Sequence, residues 1–342
     1  MDLLPTAEQQ QIIDTIRGFL AEAAPVQRLR PDKHGQIGNP DAALWPQLAE
    51  LGFLGLGLSE DHGGIGLSAI EEALVYREFG RALVSLGALG LTLASHLASS
   101  SDPAIAAAIV GGSERVGLAT PRGPATGGAT VSGKFHLLDA EDARYVAVIL
   151  PDGVALTEKA TFDDVTRHMS MDSNTILERG TLSGAAPLAW SSADDELLHA
   201  RATLLLAAYA VGMAEASLAM AVDYAKVREQ FGKVIGSFQA VKHKCADMAI
   251  VAEVASCQVA FASIVLAKGG RDAVYQAHAS KIVAVDAALK NSAQNIQVHG
   301  AIGFTAETDA HIYVKRSHVV DFIAGDLREQ RAALIRVPSP PA

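Results

Sequence analysis

Four long stretches with helical periodicity close this chain, and they constrain its fold more than any other feature. They cover residues 196–227, 237–268, 271–297 and 308–323, with only short links between them. Apolar residues recur in each at helical spacing, and consecutive long helices on short links are the sequence form of a four-helix bundle. Alanine dominates the apolar positions, so these helices can pack closely with small residues at their crossings.

A different texture precedes the bundle. Residues 116–119, 129–137 and 145–150 are short runs with strand character, split by glycine, proline and polar turns, and 154–156, 168–171 and 181–182 continue the pattern less clearly. The first third is helical again. Thr6 with Gln9 three residues on forms a capping-box pattern, and Ile12, Ile13, Ile16, Phe19 and Leu20 then trace one buried face. A polar break over residues 30–40 separates this helix from one over 42–51, which a glycine ends at Gly52; further helices fall near 69–79 and 86–99. The order predicts an α+β fold, mainly α, without an internal repeat. Three units are expected: a helical domain over 1–112, a β domain over 113–192 and a helix-bundle domain over 193–342.

Composition excludes several function classes. With 49% hydrophobic and 19% charged residues, the 342-residue chain can bury a large core and does not read as disordered. The net charge of -10, without a Lys/Arg cluster, opposes nucleic-acid binding. Cys245 and Cys257 are the only cysteines; they lie about three turns apart on one predicted helix and read as two small buried residues rather than a bridge or a metal pair. No metal site is expected. The N-terminus has no basic segment before an apolar core, and no apolar stretch reads as a membrane span, so a soluble, cytoplasmic protein without a membrane partner is expected.

Two blocks carry the candidate chemistry. The first is Arg228-Glu-Gln-Phe-Gly-Lys-Val-Ile-Gly-Ser-Phe-Gln239, followed by Cys245-Ala-Asp-Met248; the second is Gln297-Val-His-Gly-Ala-Ile-Gly-Phe-Thr-Ala-Glu307. A guanidinium offers phosphate oxygens a planar fork of donors. Gln230 and Gln239 add neutral donors, and Phe231 and Phe238 supply apolar walls. On its own the first block also reads as a helix-ending loop with a glycine cap. The pair, in this order and spacing, resembles the signature of the flavin-dependent acyl-CoA dehydrogenases. Trp45-Pro-Gln-Leu-Ala-Glu-Leu-Gly-Phe-Leu-Gly55, Glu60-Asp-His-Gly-Gly64 and Glu78-Phe-Gly-Arg81 resemble the family's N-terminal landmarks, so the likeness spans nearly the whole chain.

The resemblance implies FAD as cofactor and an acyl-CoA thioester as substrate, with an electron-transfer flavoprotein as acceptor. It implies that Arg228, Gln230, Phe231, Phe238 and Gln239, with Gln297, Val298, Gly300 and Ala301, reach the pyrophosphate and adenine end of a flavin held mainly by a neighbouring subunit. Ala301 stands where the family has a second glycine. His299 reads as a packing or hydrogen-bonding residue ahead of a catalytic one.

Other positions depart from the family. Its Thr-Glu-Pro segment is here Ala119-Thr-Pro-Arg122, without the glutamate, and the glycine-serine-aspartate loop is shortened. Phe135 or His136 occupies the neighbourhood of the tryptophan beside the flavin ring, and no hydroxyl follows. The catalytic glutamate position, counted from Gly303 and Glu307, falls on Ala324, within Phe322-Ile-Ala-Gly-Asp326. The other site the family uses, on the first bundle helix, reads His199-Ala-Arg-Ala-Thr203, also without a carboxylate. Removing an α-proton needs a base within hydrogen-bond reach. Asp321 and Asp326 read as solvated or capping residues ahead of catalysis, so no catalytic residue is assigned. Residues that reach into a neighbour's flavin are kept, and those that would hold this chain's own are lost. That asymmetry resembles the short subunits of heterotetrameric acyl-CoA dehydrogenases that degrade steroids, paired with a longer subunit. Two alternatives stand beside it: a self-sufficient homo-oligomer with an unusual base, and a non-redox protein binding acyl-CoA or a partner.

Overall fold

The computed structural model describes residues 2–30, 41–193 and 197–337. The segment 31–40, which holds most of the predicted polar break, and the proline-rich end 338–342 lie outside the described residues. The N-terminal unit comprises α1 (Ala7–Ala23), α2 (Leu44–Glu50), α3 (Ala69–Ala82), α4 (Gly87–Ser101) and α5 (Pro103–Val110). Thr6 caps α1 through the predicted box, accepting from Gln9 N–H while the Gln9 side chain accepts from Thr6 N–H. Ser68 and Glu71 close the same box on α3. Gly52, with φ of +78°, follows α2 in the left-handed conformation glycine tolerates best. The eight-residue α5 was not expected; Asp102 caps it and Pro103 opens it.

The middle unit is one seven-stranded sheet made of β1 (Val116–Thr126), β2 (Val131–Leu138), β3 (Tyr145–Leu150), β4 (Gly153–Glu158), β5 (Asp163–His168), β6 (Leu177–Ala185) and β7 (Ala189–Ser192). Their order across the sheet is β5-β6-β2-β1-β3-β4-β7; β1 and β3 run parallel and every other pair antiparallel. Two expectations change here. The strand expected at 168–171 lies at Asp163–His168, because Asp172 instead turns the following segment by accepting from Asn174 N–H and the Thr175 hydroxyl. The edge strand β7, with Trp190, was not anticipated from its four residues.

The C-terminal unit holds α6 (Leu198–Val227), a hairpin of β8 (Glu229–Gln230) and β9 (Lys233–Val234), then α7 (Gln239–Ala267), α8 (Ala273–His299), α9 (Ala310–Phe322) and α10 (Leu327–Arg336). The four expected bundle helices are present, and α10 adds a fifth. Both α6 and α7 are long and apolar enough to cross a membrane by length and composition, contrary to the expectation that no stretch would read so. α6 is mostly buried as the bundle's central helix, whereas α7 leaves Ile250 and Val254 exposed. Cys257 is exposed on that outward face of α7, which corrects the expectation of a buried residue; both cysteines are free thiols.

α3 and α6 meet backbone to backbone. A Cβ on Gly80 would stand 1.8 Å from the Tyr209 carbonyl oxygen, and one on Gly212 the same distance from that of Arg77. Only glycine permits this approach. Arg77 and Arg81 of α3 flank the crossing, both paired with Glu215 of α6. A buried ion pair ties all three units together: Arg316 of α9 binds Asp172 of the middle unit, their side chains 1% and 0% exposed. Arg316 also donates to the Tyr209 hydroxyl at 2.8 Å and to the Val84 carbonyl at 3.2 Å.

Candidate functional site

Arg228 ends α6, and its N–H still donates to the Tyr224 carbonyl at 2.9 Å. The chain then reverses through the β8–β9 hairpin, whose tip residues Phe231 and Gly232 both have positive φ, 54° and 77°. A two-residue turn of this kind matches the twist of the flanking strands. Phe231 is consequently thrust outward, 92% exposed, with Phe238 set edge-on at 6.2 Å and Lys233 over the Phe238 ring at 4.4 Å. Arg228, Gln230 and Gln239 are exposed too. The Arg228 guanidinium has no hydrogen-bond or ion-pair partner among the described residues, and Gln230 donates only to its neighbour's carbonyl. α7 begins beside them without a side-chain cap, leaving its first N–H groups and the positive end of its dipole available to an anion. The arrangement is a projecting set of phosphate donors and aromatic walls that this chain does not itself fill.

The second block lies at the same end of the bundle. Val298 is buried with Ala221 and Ala225 of α6 and Met248 of α7, so its side chain packs the core and only its backbone can meet a ligand. His299 stacks on Tyr224 at 4.1 Å, and its Nδ1 donates to the Asn295 carbonyl at 2.9 Å; it is a packing residue, as the sequence favoured. Gln297, Gly300 and Ala301 are exposed. Gly300 has φ 70° and ψ -146°, a conformation closed to residues with a Cβ, and nothing crowds it. Its glycine is therefore explained by backbone conformation. Gly303 is the position of close approach, where a Cβ would meet the Ile296 carbonyl oxygen at 2.8 Å.

At the expected base position, Ala324 is buried with φ of +56° in the turn between α9 and α10. Asp326 is the N-cap of α10, accepting from Glu329 N–H at 2.8 Å, and Asp321 accepts from Leu327 N–H at 3.0 Å. Both carboxylates thus stabilise the turn. On the first bundle helix, Arg201 is bound to Glu72 of α3, which His96 also contacts at 3.1 Å. Burial alone would raise the Glu72 pKa, but His96 and Arg201 outweigh it and hold the carboxylate ionised.

Sequence reasoning missed what lies beneath this turn. Lys281 of α8 is fully buried, and its ammonium donates to three backbone carbonyls, those of Asp321, Ile323 and Gly325. His278, one turn earlier, bonds Gln330 at 2.6 Å, and Gln330 in turn donates to the Ala324 carbonyl. The His-x-x-Lys spacing on an alanine-rich helix was the available signal. Burial pushes Lys281 down to about 7 and His199, opposite it on α6, down to about 4. An unfolded chain protonates lysine below about 10.4. Between the two values the unfolded state binds more protons, so stability should rise with pH across that window, by up to about 1.4 kcal/mol per pH unit. Urea midpoints at pH 7 and 9 check this: the wild-type should gain on Lys281→Met as pH rises, and parallel behaviour refutes it.

In the middle unit the aromatic neighbourhood divides between two faces. Phe135 is fully buried, edge-on to Phe162 at 5.9 Å. His136 and Leu138 point to the other face with Thr120, the cross-strand partner of His136. The ring face of a self-held flavin would meet a histidine with a buried, unpartnered Nδ1 and an aliphatic Leu138. The unpartnered His136 Nδ1 and the Thr120 hydroxyl are the hydrogen-bonding groups this face offers a ligand. The Arg228 hairpin fits the phosphate end of FAD.

A model described as the acyl-CoA dehydrogenase C-terminal domain matches residues 190–337, and one described as its N-terminal domain matches 6–107. The acyl-CoA dehydrogenase FadE34 of Mycobacterium tuberculosis is 35% identical over 94% of this chain, which spans about half that relative's length (47%). The acyl-CoA dehydrogenase IpdE2 of the same organism is 32% identical, with 92% of each chain covered. Among solved structures, a chain of the Mycobacterium tuberculosis ChsE4-ChsE5 complex superposes with a TM-score of 0.83 over the full length of both, at 22% identity, a likeness of fold. The two matched domains and the full-length relative place this chain in the acyl-CoA dehydrogenase family.

Proposed function

We propose that this chain is a subunit of a heteromeric, FAD-dependent acyl-CoA dehydrogenase that desaturates the α,β-bond of an acyl-CoA thioester. It lends Arg228, Gln230, Phe231, Phe238 and Gln239 to a flavin seated mainly in a longer partner subunit. The observation that carries the reading is the exposed hairpin with its unpartnered guanidinium, set against a base position filled by Ala324. The guanidinium binds and orients the pyrophosphate through charge-assisted hydrogen bonds. The Phe231 and Phe238 rings exclude water from the dinucleotide. FAD, when bound, supplies the hydride acceptor for the β-carbon. The carboxylate that removes the α-proton belongs to the partner, because Asp321 and Asp326 are engaged in the α10 turn. The assembly of ChsE4 with ChsE5 supports heteromery by likeness of fold. A bulky, steroid-derived acyl group and an electron-transfer flavoprotein as acceptor complete the proposal, which places the enzyme in the cytoplasm.

Purification of the chain alone and with its partner tests this. The lone chain is expected to be nearly colourless and inactive toward acyl-CoA with a ferricenium acceptor, and the pair yellow and active. One flavin per lone chain with turnover would establish a self-sufficient homo-oligomer.

A further inference from the structure

Ser95, Ser263, Ser280, Ser292 and Ser317 are buried within helices, and each turns its hydroxyl back onto a carbonyl three or four residues earlier. Ser217 of α6 does not. It is fully buried, and its Oγ makes no hydrogen bond among the described residues. Across from it, α8 carries two buried asparagines one turn apart, Asn291 and Asn295. Asn291 donates both amide hydrogens to backbone, to the Ala214 carbonyl of α6 and the Met248 carbonyl of α7, each at 3.0 Å. Those two bonds fix which way its amide faces, and its Oδ1 is left without a partner among the described residues. Asn295 directs its amide nitrogen to the Met220 sulfur at 3.3 Å, a weak acceptor, and its Oδ1 is orphaned as well.

The three orphans share one seam. Ala214 and Met220 lie three residues before and after Ser217, so the face of α6 on which Asn291 and Asn295 land is centred on Ser217. Ser217 therefore stands midway between the two asparagines, with its hydroxyl turned toward α8. All three residues are 1% exposed or less. Leaving a buried polar atom unpaired costs more than an average hydrogen bond contributes, so three along one seam point to a guest that pairs them. The groups on offer are a hydroxyl and two amide oxygens, none of them charged, which suits a neutral guest that both donates and accepts. We propose that a water molecule is bound here as a resident part of the bundle, donating to Asn291 Oδ1 and Asn295 Oδ1 and accepting from the Ser217 hydroxyl. A buried water typically makes about three such bonds, and this seam supplies that set. The site ties α8 to α6 one turn before His299, whose Nδ1 donates to the Asn295 carbonyl. It draws nothing from the trans-flavin reading, since none of its atoms is exposed.

A crystal structure of the full chain, alone or with its partner subunit, at a resolution that shows ordered water tests the site. The expected result is a peak within about 3 Å of Ser217 Oγ and of both Oδ1 atoms. Ser217→Ala removes the one donor and should cut the occupancy of that peak to about half or less. In solution, oxygen-17 relaxation dispersion counts long-lived internal waters. The double variant Ser217→Ala with Asn295→Leu should register one fewer than wild-type protein. Should the double variant fail to fold by circular dichroism, Ser217→Ala, which deletes a single oxygen, decides. A dry seam in the wild-type map, with the Ser217 hydroxyl turned onto the Met213 carbonyl, overturns the proposal, and so does a water count or occupancy that the variants leave unchanged. An anomalous peak at the site after a thallium soak would make the guest a monovalent cation and overturn the assignment of water.

Discussion

Arg228→Ala is expected to strip flavin from the assembled enzyme, although the residue stands at the phosphate end and far from any reacting carbon. A hydrogen bond to a charged group contributes about 1.5–3 kcal/mol, which converts to roughly ten- to hundredfold weaker retention. The side chain is exposed and supports no contact of its own fold, so helicity and thermal stability should not change. The measurement is the ratio of flavin to protein absorbance after gel filtration of the complex. Arg228→Lys should restore part of the loss, because a point charge remains while the planar fork is gone. Full flavin occupancy in Arg228→Ala would refute the role given to the hairpin.

The second large effect is on stability. Arg316→Met leaves Asp172 buried, ionised and without its partner, a change that costs about 3–5 kcal/mol in comparable pairs. The thermal midpoint should fall by on the order of 10 °C. Burial alone would raise the Asp172 pKa, but Arg316 outweighs it, so the carboxyl lies below the ordinary range. Its folded pKa is therefore lower than its unfolded one. The pair's contribution is present above about pH 4 and fades as pH falls through the depressed value. The double variant Arg316→Met with Asp172→Leu should recover much of the loss, since no orphaned charge remains. A single variant as stable as wild-type would show that the ion pair does not join the three units.

The helical skeleton was legible because α1, α7 and α8 bury stripes at a fixed period, which is a property of sequence, and α6 is a long apolar run buried on every side through its middle. The short elements were not. The four residues of β7 and the eight of α5 hold too few repeats to reveal a period, and β5 was displaced because the turn at Asp172 depends on Arg316, 144 residues away. The site divides in the same manner. Exposed phosphate donors in the hairpin announce themselves through local spacing. Lys281 does not, because its meaning comes from three carbonyls at the far end of α9. The choice between Phe135 and His136 also needed the sheet, since adjacent residues on a strand differ only in which side they face.

The contact of α3 with α6 at Gly80 and Gly212 carries a consequence for how this molecule can change over time. Most interfaces absorb a new methyl group by shuffling nearby rotamers, but here the obstacle is main chain and no such shim exists. The seating of the N-terminal unit on the bundle is thereby set by peptide dimensions. Diversification should run through sheet loops and helix ends, leaving this seam as a fixed datum.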